Sequence, residues 1–210
     1  MLDLYLIRHA ECEINQNQHL IGGRSNESPL TEKGKKQALS LGRRFYETGL
    51  AFDEVHASTA LRAYETARIA CLEMGYSLDR IIQSEQLLEL DQGDWVGKPR
   101  VEAYSAEVLQ RIEADNWNFA PPRGESQRTV EERMKDYILP WVTPWQDLRA
   151  AVFTHGVAIK CFLRYVLDST PKMTWKIDTG NTSVTRLTYN ERGWNILTIN
   201  DTAHLFSKNI

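Results

Sequence analysis

Cysteine is scarce in this chain of 210 residues: there are three, Cys12, Cys71 and Cys161, with no CxxC spacing. An odd, widely spaced set gives neither a disulfide framework nor a zinc knuckle. Cys71 and Cys161 fall inside apolar helical patterns, where a thiol behaves as a small buried hydrophobe. Positive charge is not in excess either: 25 Lys and Arg stand against 28 Asp and Glu, a formal net charge of −3. Without a global basic field, nucleic acid and anionic membranes are not expected partners, and any anion must be held by a local cluster of cations. Long apolar runs are missing too. The N-terminal run, residues 4–7, is too short for a signal-peptide core, and no stretch approaches a membrane span. A soluble, cytoplasmic protein is the expectation.

What is present is the material of a folded core: 42% hydrophobic residues and 25% charged, a balance that excludes disorder. A chain this long buries roughly 70% of its unfolded surface, so it needs no metal or disulfide staple. One domain over residues 1–210 is expected. Residues 3–7 read as a strand buried on both faces, ending abruptly at Arg8-His9. A polar loop leads to Thr31, which can cap a helix running to Gly49. A strand over 52–57 follows, then a helix capped by Ser58 or Thr59 and ended by Gly75. Short extended segments are expected at 81–82 and 87–90. Gly and Pro punctuate residues 91–124 around one helix, which marks an inserted lid. Thr129 with Glu132 fits a capping box, Pro140 should end that helix, and a strand over 150–154 runs into His155-Gly156. Residues 183–189 and 194–199 read as a hairpin. The alternation predicts an α/β fold: a mostly parallel, mixed sheet with helices on both faces and a short lid.

Two histidines then sit at strand C-terminal ends, where open α/β sheets bind ligands. Arg62, in the first turn of the following helix, can reach the same edge, and Glu89 is the acid beside these cations. This set suits phosphoryl transfer. Two guanidiniums bind a phosphoryl group at any working pH. One imidazole can attack phosphorus, and a second, protonated, can stabilise the charge that develops. A carboxylic acid can protonate the leaving alkoxide, which requires Glu89 to hold its proton at working pH. Side chains supply the positive charge, so no metal and no cofactor is expected.

These segments resemble the histidine phosphatase superfamily, the cofactor-dependent phosphoglycerate mutase-like family, over essentially the whole chain. Leu6-Ile7-Arg8-His9-Ala10-Glu11 is similar to the family's RHG signature, with Asn15 at the place of a phosphate-binding asparagine. Ser58-Thr59-Ala60-Leu61-Arg62-Ala63 resembles the second-arginine motif, Glu89 with Gly93-Asp94-Trp95 the proton-donor segment, and Phe153-Thr154-His155-Gly156 the second-histidine motif. The resemblance implies that His9 is phosphorylated, that Glu89 is the proton donor, and that Arg8, Arg62 and His155 complete the phosphate pocket. Asn15 and the Gly156 amide would be further donors, and Gly22, Gly23 and Arg24 would lie in the substrate-binding loop.

Three departures favour hydrolysis over mutase chemistry. Ala10 stands for the usual glycine, the loop over 21–27 is one residue longer and lacks the mutase threonine, and Asn116-Trp117 occupy the place of a mutase's paired arginines. The expected function is therefore a metal-independent phosphomonoesterase acting on a small phosphorylated metabolite. Alternatives are a phosphoglycerate or sugar-phosphate mutase and a non-catalytic phospho-ligand-binding module. Trp95, Trp117, Trp141 and Trp145 are expected in packing, His204 in the C-terminal tail is a candidate to approach the site, and Asn181 reads as structural. Exposed strand edges or the Trp-rich C-terminal half could support a homodimer, though nothing requires one.

Overall fold

A computed structural model describes residues 1–143 and 147–206; Trp145 lies outside the described residues. Six strands form one sheet: β1 (Leu2–Arg8), β2 (Glu54–Ser58), β3 (Ile81–Ser84), β4 (Leu148–Thr154), β5 (Val184–Asn190) and β6 (Gly193–Asp201), in the spatial order β3-β2-β4-β1-β5-β6. The first four are mutually parallel, and the closing hairpin adds β5 antiparallel to β1. This is the mixed α/β architecture that the alternating pattern predicts.

Both faces of the sheet are covered, and strand alternation explains how. Leu2, Leu4 and Leu6 of β1 join Ala150 and Val152 of β4 under α6 (Gln127–Ile138) and α7 (Gly156–Val166), meeting Val130, Met134, Ile159 and Phe162. Tyr5 and Ile7, with Ala151 and Phe153, turn to the opposite face. There α2 (Glu32–Glu47) and α3 (Leu61–Met74) supply Leu41, Phe45, Ala67 and Cys71. The central strands are apolar on both faces except near their N-terminal ends, where buried Asp3 of β1 pairs with Arg149 and Arg186, and at their C-terminal ends. All three cysteines are free and buried. Among the described residues no helix is long and apolar enough to cross a membrane.

Several expected boundaries move. Neither Ser58 nor Thr59 occupies the cap position of α3; Ala60 does, and the Ser58 hydroxyl accepts from its amide at 3.3 Å. Thr129 is not the cap of α6. Ser126 is, accepting the Thr129 amide at 3.2 Å; both residues carry cap chemistry, and the chain enters the helix one turn earlier. Residues 87–90 do not pair as a strand. A single 3₁₀ turn, Glu85–Leu87, ends β3, and Glu89 follows in an irregular segment. The polar loop holds one short helix, α1 (Glu13–Gln16), and the single lid helix is broken into α4 (Arg100–Ala103) and α5 (Ala106–Ala114), where Ser105 recaps the chain.

Beneath the lid, Ile21 packs with Trp95 and Ala103, and Ile21 exchanges backbone hydrogen bonds with Lys98 and Gly97. Gly93 is required here: its φ is +49°, and a side chain would collide with the Pro122 carbonyl. Trp117 is pinned by the Arg164 guanidinium, 3.4 Å from its ring centre, and Arg164 pairs with buried Glu131.

Candidate active site

Register builds the centre of the site. Arg8 pairs with Thr154 across β1 and β4, so His9 and His155, each one residue later, leave adjacent parallel strands at the same level. The His9 amide still bonds to the Thr154 carbonyl at 2.9 Å, and the two imidazole centroids lie 5.2 Å apart. Both side chains are buried.

The hydrogen bonds of His9 define its tautomer. Nδ1 lies 2.7 Å from the Ala10 carbonyl and must donate to it, which leaves the Nε2 lone pair free. Arg62 donates its Nε–H to that atom at 3.2 Å. Burial, then the Arg62 and Arg8 charges, hold the His9 pKa well below the ordinary histidine value. The result is a neutral, oriented imidazole whose Nε2 lone pair is met by the Arg62 guanidinium.

Arg62 is itself fixed by the preceding loop. Its Nη1 donates to the Arg24 and Ser25 carbonyls at 3.1 and 2.8 Å, and Nη2 to the Gly23 carbonyl at 3.3 Å. Arg8 donates Nη1 to the Thr179 carbonyl at 2.6 Å.

His155 is held from the neighbouring strand end. Its Nε2 lies 2.8 Å from the Ser58 hydroxyl, and burial, followed by the charge of Arg62, pushes its pKa well below the usual value. Ser58 already accepts the Ala60 amide, so its hydroxyl can donate to His155 Nε2 and place the ring proton on Nδ1. Two buried polar atoms of this centre have no partner: His155 Nδ1 and Arg8 Nε.

Glu89 reaches the same cavity from the irregular segment. Its Oε1 accepts the Leu90 amide at 2.8 Å and its Oε2 the Val157 amide at 3.2 Å. Its carbonyl is held by Arg133 Nη2 at 3.1 Å, and Arg133 pairs with Glu125. Arg24 belongs to this support. It pairs with Glu125 at 2.8 Å and Asp91 at 3.5 Å, so its charge is already met by carboxylates.

The cavity has a volume of about 890 Å³, and its walls include Arg8, His9, Asn15, Gly22, Gly23, Arg62 and Glu89. Asn181 lines it as well, donating Nδ2 to the His9 carbonyl at 3.0 Å and to Asn15 Oδ1 at 3.2 Å. Sequence reasoning missed Asn181 and Arg133. Asn181 sits where a turn residue is ordinary, and Arg133 is embedded in a charged helix that reads as solvent-facing. His204 stays away from the site, bonded to the Thr182 hydroxyl at 2.9 Å, and His56 is occupied by Glu54 and Tyr137. Asn116 and Trp117 are internal lid supports, with Asn116 bonded to Gln127 and Pro171.

Known proteins resemble this chain in sequence and fold. The family model of the histidine phosphatase superfamily (branch 1) matches residues 4–202. A probable phosphoglycerate mutase, GpmB, of Cronobacter sakazakii is 29% identical, covering 98% of this chain and 95% of its own. A solved structure, Bacillus stearothermophilus YhfR, superposes with a TM-score of 0.82 at 28% identity, over 98% of this chain and 100% of that one. A phosphoserine phosphatase variant from Entamoeba histolytica, in complex with phosphoserine, shares the fold with a TM-score of 0.84 at 23% identity, over 98% and 100% of the two chains. With a shared fold and a family match over nearly all of its length, this chain belongs to the histidine phosphatase superfamily and is an enzyme of that class.

Proposed function

We propose that the chain hydrolyses small phosphomonoesters through a phosphohistidine formed on His9. The observation that carries this is the His9 tautomer: Nδ1–H spent on the Ala10 carbonyl, with the Nε2 lone pair in the cavity beside Arg62. In the first step Nε2 attacks phosphorus and the ester P–O bond breaks. Glu89, protonated, gives its proton to the departing alkoxide. In the second step water attacks the phosphohistidine, Glu89 takes a proton from it, and the P–N bond breaks to release phosphate and neutral His9. Arg8, Arg62 and the Nδ1–H of His155 stabilise the negative charge on the transferring group.

The relatives carry both mutase and phosphatase names, so the names do not decide between them. Hydrolysis is favoured by the lid. A mutase holds its phosphoryl enzyme while an acidic substrate reorients, which asks for extra cations, and Asn116 and Trp117 are neutral and committed to packing. Quenching the enzyme during turnover of a labelled phosphomonoester should trap acid-labile phosphate on His9, followed by release of free phosphate. Full turnover by His9→Ala would overturn the mechanism, and label moved between substrate positions without free phosphate would favour the mutase.

A further inference from the structure

We infer that the organic part of the substrate is uncharged and largely apolar: an alkyl or aryl phosphomonoester, not a phosphorylated acid. This rests on the hydrolase reading of the site and extends it beyond the phosphate. The cavity, about 890 Å³, is far larger than one phosphoryl group requires and falls in the range of small-molecule pockets. Its inner end carries Arg8, His9, Arg62 and Glu89. Outward from these, the wall is built by Leu20 and Ile21 from the loop before α2, by Tyr104, Leu109 and Ile112 from the lid, and by Trp175.

Two of these lining residues are more than half exposed to solvent: Leu109 at 52% and Trp175 at 55%. An apolar ligand would remove that surface from water. Trp175 is anchored, because its Nε1 donates to Asn116 Oδ1 at 3.3 Å and Asn116 donates in turn to the Pro171 carbonyl. Charge points the same way. Beyond the phosphate end the lining holds Arg100 alone among cations, and its Nε is bonded to the Gln18 carbonyl at 2.9 Å. Glu11 also lines the cavity, but its carboxylate is paired with Lys33 at 2.7 Å, so it brings no free charge to the wall.

Alkylphosphonates test this without chemistry, since their P–C bond is not hydrolysed. From ethyl- to hexylphosphonate the Kd should fall by roughly threefold per methylene. 3-Phosphonopropionate should bind more weakly than propylphosphonate, and Trp175→Ala should flatten the series. A flat series in the unaltered enzyme, or tighter binding of the carboxylated analogue, would overturn the inference. The matching alkyl phosphates, which share one leaving-group basicity, give the second arm: kcat/KM should rise with chain length and exceed that for 3-phosphoglycerate. Turnover of these esters with a flat series leaves the hydrolase reading standing and removes this one. A graded phosphonate series without turnover of any ester does the reverse.

Discussion

The Arg62 guanidinium donates to the very lone pair with which His9 would attack, across 3.2 Å between Arg62 Nε and His9 Nε2. That contact must break before phosphorus can be reached. A phosphoryl oxygen is a better acceptor than a neutral imidazole, so on the proposed mechanism substrate would draw the Arg62 donor to itself and free the nucleophile. Because three loop carbonyls hold its other nitrogens, Arg62 needs to shift only slightly.

Glu89 provides a test of proton donation. An alkyl phosphate needs its leaving oxygen protonated, whereas a 4-nitrophenyl ester does not. Glu89→Gln should lower kcat on alkyl esters by roughly a hundredfold or more and cost much less on the aryl ester. Equal losses on both substrates, measured by steady-state kinetics, would remove Glu89 from that role.

Ser58 is predicted to act through His155. Deleting its hydroxyl leaves His155 Nε2 without the partner that places the ring proton on Nδ1. Ser58→Ala should cut kcat by about tenfold or more and also cost about 1–3 kcal/mol of stability, since the Ala60 amide loses its acceptor, whereas Ser58→Thr, which keeps the hydroxyl, should recover most of the rate. If the alanine and threonine variants are equally slow, the hydroxyl is not what matters.

The buried histidines make a prediction about acid. Burial, the largest cause in each case, lowers the pKa of His9, His155 and His56, and of His204 to about 4. Unfolded histidines take up protons near pH 6.5, so the unfolded state binds more protons below that point. The stabilisation is complete above about pH 6.5 and is lost as pH falls toward the folded-state values. Urea unfolding at about pH 7.5 and 5.5 should show lower stability in acid, by up to ~1.4 kcal/mol per pH unit for each fully buried ring. Equal stabilities would contradict it.

Gly34 tests the seat of the loop that follows His9. A Cβ there would run into the Glu11 carbonyl, which is backbone and cannot turn aside. Gly34→Ala should destabilise the fold by about 2–3 kcal/mol. A melting temperature within a degree or so of the parent would show that the α2 start can retreat.

Much of this arrangement is visible in the sequence, for a definite reason. Where an apolar strand stops at Arg8-His9, or at Thr154 before His155, the pattern marks both the strand end and the chemistry. Arg62 and Glu89 are legible as charges near such ends, although Glu89 needs no strand of its own. The supports are harder to see. Arg133 sits among Arg128, Glu132 and Lys135, where one inward-facing guanidinium looks like its solvated neighbours. The charge state of His155 depends on which groups bury it, and Ser58, 97 positions away, is part of that environment.

The pairing of β1 with β4 carries a last consequence. The spacing of the two imidazoles is set by ladder hydrogen bonds in the middle of the sheet, whereas the outer cavity wall comes largely from the 98–120 stretch and the loop beneath it. Recognition and reaction thus have separate architects. Such an enzyme can be retooled for a new ester by exchanging one surface insertion, with the phosphate chemistry carried along untouched, and a chimera bearing a foreign cap should keep its nucleophile while changing its diet.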